Sequence, residues 1–399
     1  MISVEEALAA CLALARPVGT TSVPLAAAGG RVLATSVIAR RDQPPLAASA
    51  MDGYALRRAD RRAGAALRVV GEAPAGRAWA GRIGAGEALR IFTGAPVPEG
   101  ADCVVIQEDV TRAGDTITLG DPLDEGRNIR PVGADFRVGA TLEAPRRLSP
   151  ADVALIAAMN VPEVAVSRRP EVALIATGDE LVTPGEDPRP DQIVASNSYG
   201  LKALVEAEGA RARLLPIARD DRESLAQVLR LAEGADLIVT IGGASVGDHD
   251  LVGEVAAAMG LERAFYKVAM RPGKPLMAGR IGAAALLGLP GNPVSAMVCG
   301  HLFLVPMLRA MMGLPTGARR RLTARLGCDL PRNGPRAHYM RADLMPGNDF
   351  PEITPYGSQD SALLSVLSQA NALLVRPPHD EPRQAGALVA YLPLSPLAL

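Results

Sequence analysis

Aromatic side chains are scarce in this chain: Phe, Trp and Tyr make up 3% of 399 residues, with a single Trp. Single-stranded nucleic-acid binders stack bases on aromatic faces, and too few are present to supply that surface. Net charge is equally short. Lys and Arg number 42 against 43 Asp and Glu, a balance of −1, so no global field draws in DNA, RNA or an anionic membrane. Any charge-based function is local. The four cysteines, Cys11, Cys103, Cys299 and Cys328, form no C-x-x-C pair. They suggest neither a zinc ribbon nor a disulfide framework, and a reducing cytoplasm is the expected home. The opening Met1-Ile2-Ser3-Val4-Glu5-Glu6 is acidic where a secretory signal is basic, so export is not expected. The most apolar region, residues 283–312, is interrupted by Gly288, Pro290, Gly291, Asn292, Pro293 and Arg309. It is therefore expected to fall short of the roughly 20 uninterrupted residues of a membrane span. No G-x-x-x-x-G-K-[ST] loop occurs and no His pair has metalloprotease spacing, which sets aside P-loop NTPases and zinc peptidases.

What is present is ample apolar material, 48% of residues, over a length that suggests two to four domains at about 150 residues each. Ser3 and Glu6 fit a capping box, and Val4, Leu8, Cys11 and Leu12 recur at helical spacing, so a first helix is expected to about Ala15. From Pro44 to about Gly139 short β-type runs, Leu67 to Val70 and Cys103 to Ile106 among them, alternate with Gly/Pro turns. Ser149-Pro150-Ala151-Asp152 then opens a second helix through about Met159, expected to return to the first helical region. After Pro170 strands alternate with helices: Val172 to Ile175, a helix near Tyr199 to Glu208, Leu214 to Ile217, a helix near Glu223 to Ala232, then Leu237 to Thr240. That alternation favours a mostly parallel sheet wrapped by helices, with its ligand site at the carboxyl ends of the strands. Beyond Gly313-Leu314-Pro315 short β segments return.

The loops that follow those strands carry the candidate chemistry. Thr177-Gly178-Asp179-Glu180 places carboxylates at a tight exit, suited to a divalent cation or, more plainly, to capping the next helix. In Arg219-Asp220-Asp221, Asp221 suits an N-cap and Asp220 is left for function. The loop from Gly242 to Asp250 offers backbone N–H groups and Ser245 to an anion. Its Gly243-Ala244-Ser245-Val246-Gly247 also matches the G-x-S-x-G elbow of serine hydrolases, with His301, His338 or His379 as nominal partners; the following Asp248-His249-Asp250 argues against that reading. Lys267, Arg271 and Lys274 make a rigid positive loop around prolines, and Leu289-Pro290-Gly291-Asn292-Pro293-Val294-Ser295 joins a strand to a helix start. Acids beside an anionic ligand repel it unless a cation bridges them, so Mg²⁺ with a phosphate-bearing ligand is the coherent expectation.

Several strings, in this order and spacing, resemble the molybdopterin molybdenumtransferase family, relatives of the gephyrin E domain. They are Pro44 to Ala55, which contains Ser-Ala-Met-Asp-Gly-Tyr-Ala, Phe92 to Asp102, Thr177 to Leu181, the Gly242 to Asp248 loop, Arg271 to Pro275 and Leu289 to Ser295. The resemblance covers essentially the whole chain, and the Ser49 to Ala55 string has no generic structural rationale at this level. Three departures stand out: Leu46-Ala47-Ala48 replaces a more polar stretch, Arg271 replaces a frequent Lys, and Ala134 precedes Asp135.

The resemblance implies an α/β plus β architecture in an elongated multidomain chain. A discontinuous helical and linker domain takes 1–43 and 140–168, and an inserted β domain takes 44–139. A doubly wound molybdopterin-binding α/β domain takes 169–314, and a C-terminal β-barrel-like domain takes 315–399. It implies a cytoplasmic homodimer that inserts molybdate into adenylylated molybdopterin, releasing AMP and molybdenum cofactor with Mg²⁺ as cofactor, and no nucleic-acid or membrane partner. Molybdopterin adenylyltransferase would be the upstream donor, and apo-molybdoenzymes or their chaperones the acceptors. The other class the fold allows is a non-catalytic molybdopterin-binding or scaffold protein. Carried over position by position, Asp52, Asp135, Glu180, Asp220 and Asp248 match the family's functional acids, with Glu180, Asp220 and Asp248 as metal ligands. Thr93, Gly178, Gly242, Gly243, Ser245, Gly247, Lys267, Arg271, Lys274, Pro290, Gly291, Asn292, Pro293, Ser295, Arg341 and Ser361 match ligand contacts. Lys274, Arg271 and Ser295 would hold molybdate near the pterin dithiolene, and the acids would hold the cation on the pyrophosphate linkage.

Overall fold

The computed structural model describes residues 1–243, 251–317 and 321–394, and the chain forms two compact units, 22–165 and the remainder. Two capping boxes start helices where the sequence signals them. Ser3 and Glu6 open α1 (Val4–Leu14), which lies in the larger unit, and Ser149 and Asp152 open α2 (Pro150–Ala158) in the smaller one.

The smaller unit is built on a curled six-stranded sheet in the order Cys103–Ile106, Gly53–Leu56, Glu87–Ile91, Ala66–Ala73, Thr116–Leu119 and Val110–Ala113. Both faces are covered. Tyr54, Leu56, Cys103 and Val105 pack into one apolar cluster, while the alternate residues Ala55 and Val104 pack into another with Leu89 and Ile91. Gly53 lies so close to Val105 that a Cβ would stand 2.0 Å from its carbonyl oxygen. The Asp-Gly-Tyr string therefore has a structural reason that sequence reading did not find: only glycine fits where this strand pairs with Cys103–Ile106.

The larger unit carries the α/β sheet, ordered Arg211–Leu214, Glu171–Ala176, Leu237–Ile241, Ala284–Leu289, Met277–Ile281 and Glu262–Tyr266. The first four strands are parallel, and Met277–Ile281 pairs antiparallel with both of its neighbours, Ala284–Leu289 and Glu262–Tyr266. Leu237–Ile241 and Ala284–Leu289 are buried throughout, the continuous apolar text of strands covered on both faces. The expected strand at Leu214 to Ile217 lies earlier, at Arg211–Leu214, because Pro216 has no N–H with which to continue the ladder. One face is covered by α4 (Arg222–Leu231) and α5 (Leu251–Ala258), and α3 (Ser196–Ala207) and α6 (Pro293–Cys299) pack together on the other. The strand after Glu171–Ala176 pairs on one side of it and the next pairs on the other. The chain therefore reverses its order at Ala176 and Ile241, the position where open α/β sheets bind ligands.

From Pro293 the helix runs on through a π turn, Gly300–Leu304, into α7 (Val305–Met311). Pro293–Met311 is long and apolar enough to cross a membrane by length and composition, since Pro293 sits at the helix start and Arg309 near its end, but its most apolar window is 78% buried inside the protein as in a core helix, so no membrane span is indicated. The C-terminal region is a closed five-stranded barrel. Ala337–Met345, Glu352–Pro355, Leu322–Leu326, Leu388–Pro393 and Ala372–Arg376 pair in turn, and the last pairs back with the first. A short helix, α8 (Leu364–Gln369), precedes its fourth strand in sequence.

Candidate functional site

At the switch point a pocket of about 1120 Å³ opens. It gathers Gly178, Glu180, Asp220, Gly242, Gly243, Pro290, Gly291, Asn292 and Pro293, nine of the expected site residues from four separate loops. The backbone explains the approach. Thr177 N–H donates to Ile241 O at 3.0 Å, Gly178 N–H to Ala218 O at 3.1 Å, and Gly242 N–H to Leu289 O at 3.1 Å. Each strand exit is thereby tied to its neighbour. Gly242 has φ +93, and a Cβ on it would lie 2.8 Å from Thr177 O and 3.9 Å from the Gly291 Cα. Glycine is required there by both conformation and space.

The acids of the pocket are crowded. Asp220 N–H donates to Asp179 Oδ1 at 3.3 Å. The Asp220 carboxyl is raised above its ordinary range by partial desolvation in the pocket wall, and then by the negative charges of Asp179 and Glu180. Asp221 caps α4 through Ser224 N–H at 2.8 Å, as expected. Asp179 and Glu180 do not cap the next helix, which begins at Ser196 after two short paired strands, Leu181–Val182 and Ile193–Val194. Glu254 and Arg222, which form an ion pair, complete this wall.

Sequence reading missed several residues here. Thr177 is 5% exposed, lines the pocket, and its hydroxyl oxygen has no hydrogen-bond partner. Asn197 Nδ2 donates to Gly291 O at 2.7 Å, while its buried Oδ1 is unpartnered. The signal was present as Ser196-Asn197-Ser198, three small polar residues at the start of a helix that periodicity placed three residues later.

The cationic loop stands beside this pocket. Pro275 lines it, whereas Lys267, Arg271 and Lys274 are not among its lining residues. Lys267 Nζ rests 4.8 Å from the centre of the Tyr266 ring. Gly273 packs so closely on α6 that a Cβ would meet Cys299 Sγ at 2.4 Å, and Arg271 pairs with His338 where Met270–Arg271 adds to the barrel. Ser295 is buried in α6. Ser361 O accepts from Val294 N–H at 3.0 Å, so this residue caps the helix start through its backbone. Arg341, 1% exposed, donates to Leu363 O and Ser358 O at 3.2 Å each and so holds the segment that does the capping. Ser245, Gly247 and Asp248 lie outside the described residues, as does the G-x-S-x-G string apart from Gly243.

In the smaller unit, Asp52 Oδ1 accepts from Thr93 N–H at 2.7 Å and from the Thr93 hydroxyl at 2.8 Å. These bonds, the N–H first, hold its carboxyl below the usual range. Arg90 lies over Tyr54 and Phe92, 5.2 and 4.6 Å from their ring centres. Asp135 is exposed, and its N–H donates to Gln43 O at 2.9 Å.

Three family models match in succession: MoeA N-terminal region (domain I and II) over residues 2–160, probable molybdopterin binding domain over 173–310, and MoeA C-terminal region (domain IV) over 323–394. A molybdopterin molybdenumtransferase of Nostoc sp. is 38% identical over 370 residues, 90% of this chain and 85% of the relative. The chain belongs to the molybdopterin molybdenumtransferase family. A second family member, molybdopterin molybdenumtransferase 2 of Mycobacterium tuberculosis, is 37% identical over 93% of this chain and 92% of its own length. Among solved structures, the molybdopterin biosynthesis moeA protein of Pyrococcus horikoshii superposes with a TM-score of 0.83 at 29% identity, covering 98% of this chain and 99% of that one. The family is one of transferases, and its role lies in molybdenum cofactor biosynthesis.

Proposed function

We propose that this chain inserts molybdate into adenylylated molybdopterin, releasing AMP and molybdenum cofactor in the last step of that biosynthesis, with Mg²⁺ and as a cytoplasmic homodimer. The observation that carries the reading is the pocket at the switch point, which glycines and acidic side chains line together. Glycines 178, 242 and 243 leave room for an anionic ligand to approach the backbone. Family membership supplies the substrates, molybdopterin and molybdate.

The residues present fit a divalent cation of the magnesium kind. Desolvation first, and then the nearby charges of Asp179 and Glu180, raise the Asp220 carboxyl, and a cation relieves the repulsion among the three acids. No group of three acids, histidines or cysteines among the described residues forms a closed metal site. Mg²⁺ typically takes one or two carboxylates and completes its shell with substrate phosphates and water, so two acids suffice. Glu180 and Asp220 would hold it, with Asp248 as a further ligand. When bound, the cation supplies neutralisation of phosphate charge. Lys274, Arg271 and Ser295 would hold molybdate, and Asp52, Thr93 and Asp135 would be further functional residues. The protein's own contribution is positioning and charge balance.

The test is incubation of the purified chain with adenylylated molybdopterin, Mg²⁺ and molybdate, reading AMP by chromatography and molybdenum transfer to an apo-molybdoenzyme. Molybdate-dependent AMP release is expected. Tight pterin binding without release overturns the transferase reading in favour of a carrier or scaffold. The donor and acceptor proposed are molybdopterin adenylyltransferase and apo-molybdoenzymes or their chaperones.

A further inference from the structure

Beside the main pocket lies a second chamber of about 420 Å³. The two share Ser196 and Asn197 as a common wall. Their linings differ in kind. Where the first presents acids and glycines, the second is walled by Gly200 and Met297 of the α3–α6 contact, by Leu364, Leu367 and Ala370 at α8, and by Leu394. The close packing of α3 and α6 that frames it depends on glycine: a Cβ on Gly200 would meet Met297 Sδ at 3.1 Å, and one on Gly300 would meet Leu201 Cδ2 at 2.9 Å. The π turn at Gly300–Leu304 places His301 in the lining, and such turns recur where a helix serves a site.

The shared wall is chemically marked. Asn197 Nδ2 faces a carbonyl, Gly291 O, which fixes the amide's orientation, since the flipped form would set oxygen against oxygen. Its Oδ1 is thereby an acceptor, shielded from water and without a partner. An unpaired buried acceptor is costly, and a ligand N–H is the group that removes the cost. A mostly apolar slot, with Ser196, His301 and Ser368 as its other polar lining and an unpaired acceptor on the wall it shares with a site suited to phosphate, matches a flat ring that bears N–H groups and is tethered to an anion.

We propose that the second chamber receives a fused bicyclic nitrogen heterocycle of the substrate, with Asn197 Oδ1 accepting from an exocyclic amino N–H at its edge. The inference rests on the transferase reading above for the ligand's identity. Both of that substrate's rings, the adenine of the adenylyl group and the pterin, have this chemistry.

The experiment uses the full chain and three probes: AMP, 6-hydroxymethylpterin, and inorganic pyrophosphate with Mg²⁺ as a probe of the main pocket alone. Leu367→Trp, which fills the chamber, is expected to raise the Kd of one ring probe at least about tenfold while the pyrophosphate Kd is unchanged; the affected probe identifies the ring. Asn197→Ala is expected to erase the preference of the wild-type chain for the amino-bearing ring over its deaminated counterpart, IMP for AMP or the 2-oxo analogue for the pterin. Should Leu367→Trp lose pyrophosphate as well, the milder Ala370→Leu decides on the same criterion. Ring affinities unchanged in a filled variant that still binds pyrophosphate overturn the proposal, as does failure of the wild-type chain to bind either ring. Molybdate-dependent AMP release with unchanged ring affinity sinks the chamber alone. Chamber-dependent ring binding without AMP release sinks the transferase reading alone.

Discussion

Thr93 spends both its N–H and its hydroxyl on one oxygen of Asp52, at 2.7 and 2.8 Å, so these two expected site residues are first of all partners of each other. The bonds join the Met51–Gly53 strand entry to the Phe92–Ala95 turn, where Gly94 N–H also donates to Ser49 O at 2.9 Å. Asp52→Ala removes the acceptor, and the Thr93 amide is expected to exchange with solvent about tenfold faster, consistent with losing one charge-assisted bond. Asp52→Asn keeps an acceptor and is expected to preserve much of the protection. Loss of AMP release in the Asn variant with exchange intact assigns the charge to the chemistry; equal exchange in wild type and Asp52→Ala removes the tether.

The crowded acids of the main pocket set the second expectation. Removing Glu180 or Asp220 as a charge, in Glu180→Gln or Asp220→Asn, is expected to raise the Mg²⁺ concentration for half-maximal AMP release at least about tenfold, the scale of losing one ligand. Chelation of the cation is expected to stop release in the wild type. An unchanged Mg²⁺ requirement in both variants removes these residues from the metal site.

Gly242 and Gly291 lie side by side in the wall of that pocket but differ in tolerance. An alanine at 242 must adopt φ +93 and set its Cβ 2.8 Å from Thr177 O, whereas at 291 the one nearby atom is the Gly242 Cα at 3.5 Å. Gly242→Ala is expected to cost about 1–3 kcal/mol in urea unfolding and to weaken pyrophosphate binding. Gly291→Ala is expected to stay within about 0.5 kcal/mol of wild type. The reverse ranking contradicts the account of the strand exits.

These residues also show what the sequence made legible. The capping boxes at Ser3 and Ser149 and the N-cap at Asp221 were readable because a helix start is written in three or four adjacent residues. The glycines of the strand exits were readable because periodicity located the strands. Asn197 was not, since its role depends on Gly291, 94 positions away. The capping role of the Ser361 carbonyl was hidden for the same reason, because a backbone contact leaves no residue-type signal. The rationale for Gly53 lies in a strand pairing at Val105 that no local pattern records.

A buried ion network supplies a stability expectation in the barrel. Arg376, 3% exposed, pairs with Asp380, which also holds Arg383 at 2.6 Å. Those arginines keep the Asp380 carboxyl below the usual range against the opposing effect of burial. Asp380→Asn leaves a buried guanidinium without its counter-charge and is expected to cost about 3–5 kcal/mol. Urea unfolding reads this directly, and a change below about 1 kcal/mol contradicts it.

His338 supplies the pH dependence. It is 8% exposed, and its Nε2 is buried without a partner. Burial first, then the charges of Arg271, Arg376, Arg336 and Arg341, push its pKa down to about 4 from 6.5. The folded ring is therefore neutral over a range in which the unfolded ring takes a proton. Between pH 6.5 and 4 the unfolded state binds more protons, so stability is full above that window and falls as pH falls through it. The shift corresponds to at most about 3–4 kcal/mol. Carboxylates titrate in the same range, so the expected observation is a difference: relative to His338→Gln, the wild type loses stability as pH drops from 7 to 4, and the two run parallel above 7. Urea midpoints across that range measure it, and a constant difference at every pH shows that His338 is charged alike in the folded and unfolded chains.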